Sequence, residues 1–392
     1  MIALAAALVG GGVVAGVGAL DDDEPAPRPG VVVAEIDATG DAVAAPVRIP
    51  AGSFDPSRIY ATRASGVVTV DAVFPESGDR DQTSQGSGFV VSPDGYVLTS
   101  AHVITTAGRG GGKVEPAVRV YVVFADGDRI QGRLVGWDLF DDVAVVKVDP
   151  ADHRLRPIPL GDSRLLHVGA PVAAIGSPFG HGGSLAVGVV SGVGRSIPSL
   201  TSSYYLGDAI QTDAPITRGN SGGPLLDARG NAVGINAQIR TETGVGEGVG
   251  FAVPINAAKR SLRQLIASGE VRYPYVGVAT ADLTPSLAEH LGLRVGRGAL
   301  IQTITDDSPA ARAGLRAGTK EEAFNGVEVE VGGDVIVAIQ GRPVRGSGDV
   351  ARLLLERHAP GDRVLFTVVR NDARRTIALR LATRPAEPGA AR

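Results

Sequence analysis

Between residues 59 and 254 the apolar positions of the chain fall into short runs with turn residues between them. The runs recur about every 8 to 12 residues, a spacing that is typical of strands in β-barrels and sandwiches. Asp94-Gly95 and Asp126-Gly127 lie between successive runs and predict tight hairpin turns. The pattern predicts a mainly β chain with about twelve strands here, which suits two six-stranded β-barrels. The predicted strands are 67–70, 88–91, 96–99, 119–124, 129–136, 143–148, 171–175, 186–192, 209–212, 224–226, 232–236 and 250–253.

A helix and a second domain follow the predicted barrels. A helix over residues 255–268 would carry its apolar residues on one face: Ala258, Leu262, Leu265 and Ile266. Gly269 follows as a stop signal. From about residue 273 strands alternate with short helical stretches, and roughly 110 residues are enough for a small α+β domain. We predict its helices at 284–291, 308–315 and 347–358, and its strands at 277–279, 299–304, 335–339, 363–370 and 376–381.

The first 58 residues differ in character from the rest of the chain. Residues 2–20 carry no charge and consist only of Ile, Ala, Leu, Val and Gly. As a helix these 19 residues would measure about 28 Å, close to the thickness of the bilayer core. We predict an N-terminal transmembrane helix, with a cleaved signal segment as the alternative, and then a flexible acidic and Pro/Ala-rich linker over residues 21–58. The remaining predicted bounds are 59–270 for the double barrel, 272–384 for the second domain and 385–392 for a disordered tail.

Composition narrows the classes of function. The chain has 392 residues, of which 44% are apolar and 20% charged, as is typical of globular domains. It contains no cysteine, which excludes a disulfide scaffold and a thiol nucleophile. The net charge of −4 equals that of the acidic run 21–24, so the remainder is neutral and gives no indication of a nucleic-acid partner. No group of ligating residues predicts a metal site, and we expect no cofactor.

Three short stretches carry the groups needed for nucleophilic catalysis by a serine. His102 follows a predicted strand in Thr-Ser-Ala-His-Val, Asp142 opens another strand, and Ser221 lies in Gly-Asn-Ser-Gly-Gly-Pro. Acyl transfer needs a hydroxyl nucleophile, an imidazole that takes its proton and a carboxylate that orients the imidazole. The chain order His, Asp, Ser is that of chymotrypsin-like enzymes and differs from that of subtilisins and α/β-hydrolases. Asp141 is the alternative carboxylate, and Ser87, in an ordinary Gly-Ser-Gly loop sequence, is a rival serine.

The glycines around Ser221 have a physical role. An oxyanion hole needs backbone N–H groups that point at one place, and this demands backbone angles that most residues resist. We assign the oxyanion hole to Gly219, Asn220 and Ser221, and the N–H groups of Gly219 and Ser221 are the expected donors. Gly222 and Gly223 would let the turn reverse and leave room for a substrate.

Several strings occur together in an order typical of one known family. The chain resembles the HtrA/DegP-like serine proteases, of trypsin-like, chymotrypsin-type fold, over about residues 59–383. The resemblance implies that Ser221 is the nucleophile, His102 the general base and Asp142 the orienting acid. The strings that match are residues 85–90, 95–103, 142–145, 219–224 and 250–254.

The same resemblance implies further roles around the site. Ile216 and the loop 236–250 would shape a small S1 pocket for small aliphatic side chains such as Val or Ala. Arg195, in a loop predicted over residues 192–207, would relay the sensing of ligand or trimer contacts to the oxyanion loop, and a solvated surface arginine is the alternative. The assembly implied is a homotrimer of protease domains, and the reaction implied needs no metal.

The second domain resembles a PDZ domain, a module that adds the C-terminal tail of a peptide to a sheet edge as an extra strand. The helix 347–358 would form the facing wall, and its Val350, Leu353 and Leu354 are either groove wall or core. Residues 319–331 form a longer, charged connection than the shortest PDZ pattern has. The residues that match the family's carboxylate loop and first strand are Tyr275, Val276, Gly277 and Val278.

Together these features predict a membrane-anchored, extracytoplasmic serine endopeptidase. Its expected substrates are misfolded or exposed polypeptides, in protein quality control or regulated proteolysis, and its PDZ domain would bind C-terminal peptide tails. The predicted location is the cell membrane, with a secreted form if the N-terminal segment is cleaved. The alternative function is a peptide-binding chaperone or regulator that depends on the PDZ domain and cleaves little.

Overall fold

The computed structural model describes residues 54–75, 82–107, 114–177, 183–202, 204–217, 219–237 and 249–385. The predicted membrane helix at 2–20, most of the predicted linker and the predicted tail after 385 lie outside these ranges. Within the described ranges no helix is both long enough and apolar enough to cross a membrane.

Six antiparallel strands close the first barrel, in the order β1-β2-β3-β6-β5-β4. Valines on alternate positions, such as Val68, Val97 and Val146, fill its interior and are fully buried. Gly95 makes the predicted turn between two strands with a φ of 96°, where a side chain would be strained. The strands are β1 Val67–Phe74, β2 Gln82–Val90, β3 Tyr96–Thr99, β4 Arg119–Val123, β5 Arg129–Asp138 and β6 Val143–Lys147, and a one-turn helix α2 (Ala101–Ile104) follows β3.

The second barrel also has six antiparallel strands, in the order β10-β11-β12-β9-β8-β7. The six strands in each barrel agree with the number expected from the spacing of apolar runs, and the mainly β prediction is confirmed. Helix α3 (Ile255–Ser268) follows directly and ends at Gly269 in the left-handed conformation, as predicted. The strands are β7 Pro171–Gly176, β8 Ser184–Pro198, β9 Tyr205–Thr212, β10 Pro224–Leu226, β11 Ala232–Ala237 and β12 Gly250–Pro254.

A helix begins before the predicted start of the barrels at residue 59. Helix α1 (Pro56–Arg63) includes the last three residues of the predicted flexible linker, which corrects that boundary. Asp55 caps the helix by accepting the N–H of Arg58 at 3.0 Å, and a proline at the first helical position suits a helix start. Ile59 is buried against the core between the barrels, and this contact holds the helix in place.

The main sheet of the second domain has the strand order β14-β15-β18-β20-β21, and β19 also pairs with β18. Two smaller sheets pair β13 with β22 and β16 with β17. Strand β14 lies at the edge and pairs only with β15 among the described residues. The connection predicted over residues 319–331 is a β-hairpin, because Val329 and Val331 are buried on one face of it. The bounds are β13 Pro274–Tyr275, β14 Val278–Leu283, α4 Pro285–His290, β15 Gly298–Ile304, α5 Pro309–Arg312, β16 Lys320–Phe324, β17 Val327–Val331, β18 Val335–Ile339, β19 Arg342–Pro343, α6 Ser347–Arg357, β20 Arg363–Arg370, β21 Ala373–Arg380 and β22 Ala382–Thr383.

Candidate active site

His102 and Asp142 form a pair in the first barrel. His102 lies on α2, directly after β3, and Asp142 directly precedes β6, which pairs with β3. The ring Nδ1 of His102 lies 2.7 Å from Oδ2 of Asp142, and the backbone N–H of His102 donates to Oδ1 at 2.9 Å. Asp142 is almost fully buried. Both carboxylate oxygens therefore hold the same histidine, which fixes the direction of its ring.

The pKa of His102 is raised above its ordinary value of 6.5. Burial by itself lowers this pKa, but the charge of Asp142 and its hydrogen bond to the ring favour the protonated imidazole and outweigh burial. A histidine with a raised pKa is a stronger base once it is neutral. This suits a group that takes a proton from a hydroxyl and returns it to a leaving group.

The backbone turn before Asp142 is held by a second aspartate that the sequence did not single out. Asp138 accepts the N–H groups of Phe140 at 2.9 Å and of Asp141 at 3.3 Å. Asp142 itself has a φ of 52°, an uncommon conformation for a residue with a side chain. The backbone is strained at Asp142, the residue that orients His102. The hydrogen bonds to Asp138 stabilise the turn directly before it.

Asp141, the alternative carboxylate, points away from His102. Its Oδ2 accepts a hydrogen bond from Arg260 at 2.6 Å and one from the hydroxyl of Tyr273 at 2.7 Å. Tyr273 also donates to Asp138, which Ser261 contacts at 2.6 Å. The structure thus brings Asp142, and not Asp141, to the histidine.

Burial and the nearby charge of Asp141 raise the pKa of Asp138 to about 6. Hydrogen bonds from Ser261 and Tyr273 act in the opposite direction but are weaker. Tyr273 comes immediately before β13, the first strand of the second domain. The turn that carries Asp142 is therefore connected through buried hydrogen bonds to the segment that joins the two domains.

Ser221 lies in the tight loop between β9 and β10 and is buried. Its Oγ donates to the carbonyl of Thr217 at 3.4 Å. Within the described ranges Ser221 Oγ makes no hydrogen bond to His102. Contacts between a catalytic serine and its base are often long before substrate binds.

The backbone N–H groups of the same loop differ in whether they donate a hydrogen bond within the protein. Among the described residues, the N–H groups of Gly219 and Ser221 donate to no protein acceptor. Unpaired N–H groups near buried atoms are rare, and in a loop of this type they are available to an oxyanion. The N–H of Asn220 instead donates to Thr217 at 3.1 Å, which corrects its assignment to the oxyanion hole. The side chain of Asn220 holds the loop, since it accepts from the N–H of Thr217 at 2.9 Å and donates to Pro215 at 2.9 Å.

Gly222 and Gly223 are required by close backbone contacts. A Cβ at Gly222 would lie 2.2 Å from the carbonyl oxygen of Ser87, and the φ of Gly222 is 84°. A Cβ at Gly223 would lie 2.3 Å from the carbonyl oxygen of Ile175. Real Cβ atoms do not approach so closely, so the loop packs against both barrels only because these residues are glycines.

The two residues assigned by resemblance alone lie in different settings. Ile216 is half-buried, and a Cβ at Gly250 would lie 2.5 Å from it, so a small residue at 250 leaves room for the isoleucine. Arg195 is part of the long strand β8 and not of a loop, which corrects that prediction. It donates to Gln211 on β9 at 3.0 Å and makes no hydrogen bond to the loop of Ser221 among the described residues.

The predicted peptide-binding residues lie at one end of the edge strand β14. Gly277 has a φ of 85°, and a Cβ there would lie 2.2 Å from the side chain of Ser308, so only glycine fits. Val276 is buried in the domain core, and the hydroxyl of Tyr275 contacts Thr305 at 3.1 Å. Val278 begins the edge strand. The three apolar residues of α6 that were left open as groove wall or core are buried in the core cluster: Val350, Leu353 and Leu354.

Two residues that support the site were missed as functional candidates: Asp138 and Tyr273. Ser87, which the sequence offers only as a rival nucleophile, also contacts the loop of Ser221. Asp138 and Tyr273 are 135 residues apart in the chain, and no local pattern connects them. In the described part of the chain no group of three or more potential ligands could hold a metal ion.

Two protein families match successive parts of this chain. A family described as a trypsin-like peptidase domain matches residues 86–235, and a family described as a PDZ domain matches residues 274–381. These two matches, the two barrels and the His102–Asp142 pair define the class of this protein. It has a trypsin-like serine peptidase domain followed by one PDZ domain.

Curated relatives match most of the chain. A protein of Pseudomonas fulva (strain 12-X) named probable periplasmic serine endoprotease DegP-like is 38% identical over 317 residues, which is 80% of this chain and 60% of the relative. A protein of the same name from Brucella suis biovar 1 is 36% identical over 315 residues, 80% of this chain and 56% of the relative. The chain therefore spans about 60% of the length of the curated relatives that it matches.

Solved structures of serine proteases are also similar to this chain. The structure of the HtrA-type protease AlgW with a tripeptide is 33% identical, covers 84% of this chain and 98% of its own, and has a TM-score of 0.68. A serine endoprotease from Yersinia pestis is 27% identical, with a TM-score of 0.59, and the match covers 86% of this chain and 100% of its own. The chain belongs to the HtrA-type, DegP-like family of serine proteases, which confirms the resemblance.

Proposed function

We propose that this protein is a serine endopeptidase that cleaves exposed or misfolded polypeptides outside the cytoplasm. The observation that carries the proposal is the pair of His102 and Asp142, joined at 2.7 Å and accompanied by Ser221 in a loop with two free amide N–H groups. These are the groups that acyl transfer by a serine needs.

In the proposed reaction His102 removes the proton of Ser221 as its Oγ attacks the peptide carbonyl. Asp142 stabilises the imidazolium that forms, since both of its oxygens already contact His102. The N–H groups of Gly219 and Ser221 donate to the developing oxyanion, and removal of one such donor costs about 3 kcal/mol in comparable enzymes. His102 then protonates the leaving amine, and water hydrolyses the acyl-enzyme through the same base.

The preference for small aliphatic side chains rests on Ile216. Its half-buried side chain occupies the space beside Gly250, at the start of the strand that borders the loop 238–248. That loop lies outside the described residues. By family resemblance Ile216 borders the pocket for the residue before the cleaved bond, so we propose cleavage after small aliphatic residues such as Val or Ala.

The PDZ domain is proposed to bind the C-terminal tails of polypeptides. Strand β14 lies at a sheet edge, so its backbone can accept an added strand, and the left-handed Gly277 precedes it as in a loop that receives a carboxylate. Helix α6 begins beside this strand, since its first residue Ser347 donates its N–H to Asp282 on β14 at 2.7 Å. The edge strand and the helix are thus held in a fixed relation.

The proposed location is extracytoplasmic, with residues 2–20 as a single-pass membrane anchor or a cleaved signal. The names of the curated relatives describe periplasmic proteins, and the 19 uncharged residues suit either segment. The proposed assembly is a homotrimer, by family resemblance.

The experiment is degradation of unfolded casein by the wild type and by the Ser221→Ala variant. We expect the wild type to degrade casein. The variant lacks the serine nucleophile, so its activity should be lower by at least about 10⁴-fold. Circular dichroism should show the same fold for both proteins. Equal degradation by the two proteins would contradict the assignment of the nucleophile, and a folded wild type that degrades no unfolded chain would favour a peptide-binding chaperone.

A further inference from the structure

A cluster of buried hydroxyl groups joins the two barrels beneath the loop of Ser221. Ser87 on β2 is fully buried, and its backbone pairs with Thr69 on β1. Thr69 donates to the carbonyl and to the hydroxyl of Ser177, which follows β7 in the second barrel, at 2.9 and 2.8 Å. Thr99 on β3 donates to the carbonyl of Ser87 at 2.7 Å. Hydroxyl groups of one barrel therefore reach backbone groups of the other.

Ser87 holds the loop of Ser221 at two points. Its backbone N–H donates to the carbonyl of Ser221 at 2.8 Å, and its Oγ donates to the carbonyl of Gly219 at 2.7 Å. The same Oγ accepts the N–H of Ser177 at 2.8 Å, so the direction of the hydroxyl is fixed by a second bond. The buried hydroxyl of Ser87 thus donates one hydrogen bond and accepts another, as buried polar groups usually do.

The two oxyanion donors need this support to different degrees. The N–H of Ser221 belongs to a planar peptide whose carbonyl, on Asn220, already accepts from Gly223 at 3.0 Å and from Asn236 at 3.3 Å. That donor is fixed within the second barrel. Gly219 has no side chain, and a glycine reaches many backbone angles at little cost, so only bonds to its backbone hold it. Among the described residues its carbonyl accepts only from the hydroxyl of Ser87, and the N–H of the same peptide, on Asn220, donates to Thr217 at 3.1 Å.

We propose that Ser87 is a positioning residue for the oxyanion hole, and that it acts by holding the backbone of Gly219. The hydroxyl contacts no reacting group. It keeps the N–H of Gly219 directed at the same point as the N–H of Ser221, so that both donors meet the oxyanion in the transition state. The inference rests on the proposed function, and it gives a role to a serine that would otherwise be ordinary loop sequence.

The effect expected from this role is on the chemical step. Loss of one oxyanion donor costs about 10²- to 10³-fold in comparable enzymes, and a donor that is only misdirected costs less. We expect Ser87→Ala to lower kcat by about 10- to 100-fold and to leave KM within about twofold, because the hydroxyl acts only on transition-state contacts. The acid limb of the pH profile, which reports His102, should not move.

The test compares four intact proteins, the wild type and the variants Ser87→Ala, Ser87→Cys and Thr69→Val, on a quenched fluorogenic peptide that the wild type cleaves. Thr69→Val is the matched control, because it removes a fully buried hydroxyl of the same cluster that has no contact with the loop of Ser221. Ser87→Cys keeps the shape of the side chain, with a somewhat larger terminal atom, and replaces a strong donor by a weak one. A second readout is the affinity for a peptide aldehyde, whose adduct with a serine carries an oxygen in the oxyanion hole.

The result expected is a large loss of kcat and of aldehyde affinity in Ser87→Ala, an intermediate loss in Ser87→Cys and little change in Thr69→Val. If Ser87→Ala does not fold, the Ser87→Cys protein decides by the same measurements. A kcat within twofold of the wild type in the folded Ser87 variants, or an equal loss in Thr69→Val, overturns the inference. A wild type that neither cleaves peptides nor binds the aldehyde contradicts the proposed function itself and removes the basis of this inference.

Discussion

Asp138→Asn should change how the stability of this protein depends on pH. Asp138 is 2% exposed and lies beside Asp141. Burial and the charge of Asp141 raise the pKa of Asp138 to about 6 from an ordinary 3.8. Asn keeps an oxygen for the N–H groups of Phe140 and Asp141 and has the neutral charge of a protonated carboxyl. The substitution therefore removes the titration and leaves the turn before Asp142 supported.

The sign of the effect follows from where the proton is held. Between pH 3.8 and about 6 the folded protein keeps the proton on Asp138, and the unfolded chain loses it. The stabilisation from this proton is complete below pH 3.8 and is lost as the pH rises to about 6. A difference of about two pH units between folded and unfolded pKa corresponds to about 3 kcal/mol of unfolding free energy. The Asn variant does not titrate, so it should gain up to about 3 kcal/mol relative to Asp between pH 4 and pH 7.

The assay is urea unfolding at pH 4, 5, 6 and 7 with both proteins carrying Ser221→Ala, which prevents self-digestion. The quantity of interest is the difference in unfolding free energy between Asn and Asp, because contributions from all other groups cancel in it. Asp126→Asn is a control at an exposed site, where a hydrogen bond to His153 lowers the pKa of the carboxyl. Its carboxyl is ionised in both the folded and the unfolded protein above about pH 4, so the difference for that control should change little between pH 4 and pH 7. A difference for Asp138→Asn that is flat between pH 4 and pH 7, or that falls, would refute the reasoning.

Two further predictions concern the catalytic histidine and the peptide tail. The acid limb of kcat/KM should lie above pH 6.5, because His102 acts when neutral and its pKa is raised. A limb below pH 6 in a stopped-flow pH series would contradict the stated effect of Asp142. The variant Asp142→Asn should also lower kcat by about 10⁴-fold. The Ser221→Ala protein should bind a fluorescent peptide with a free C-terminal carboxylate at least about tenfold more tightly than the same peptide with a C-terminal amide, because β14 and Gly277 would hold the carboxylate. Equal anisotropy titrations for the two peptides would contradict PDZ-type binding.

Elements with clear boundaries in the sequence could be predicted. Strand β3 at Tyr96–Thr99 and helix α3 at Ile255–Ser268 have the predicted bounds. In both cases an apolar pattern of a single period is bounded by turn or stop residues, so local chemistry decides where the element lies. The contact of His102 with Asp142 agrees with the prediction for a similar reason, since each residue lies in a short string of its own, and Ser221 stays the predicted nucleophile.

Other elements depend on contacts that a local pattern does not show. Strand β8 continues to Pro198 through exposed residues, because it pairs irregularly with β9, and Arg195 therefore lies on a strand. The hairpin β16–β17 was missed even though Asn325-Gly326 is a strong turn signal, because its charged residues were interpreted as a connection.

The support of the active site could not be predicted at all from local sequence. Tyr273 meets Asp138 across 135 positions, and Ser87 meets Gly219 across 132 positions. Neither contact follows from periodicity or spacing, because the closing of the barrels brings these residues together. The assignment of Asn220 to the oxyanion hole was wrong for a related reason, since its N–H is used by a carbonyl within the loop.

Covalent labelling of the folded wild type with a fluorophosphonate tests the central claim most directly. The reagent reacts with a serine only where a base and an oxyanion hole activate it. Digestion and mass spectrometry should then find one adduct, on the peptide that contains Ser221, and both Ser221→Ala and heat-unfolded wild type should remain unlabelled. A folded wild type without an adduct on Ser221, or equal labelling of the Ser221→Ala protein, would contradict a serine endopeptidase built on His102, Asp142 and Ser221.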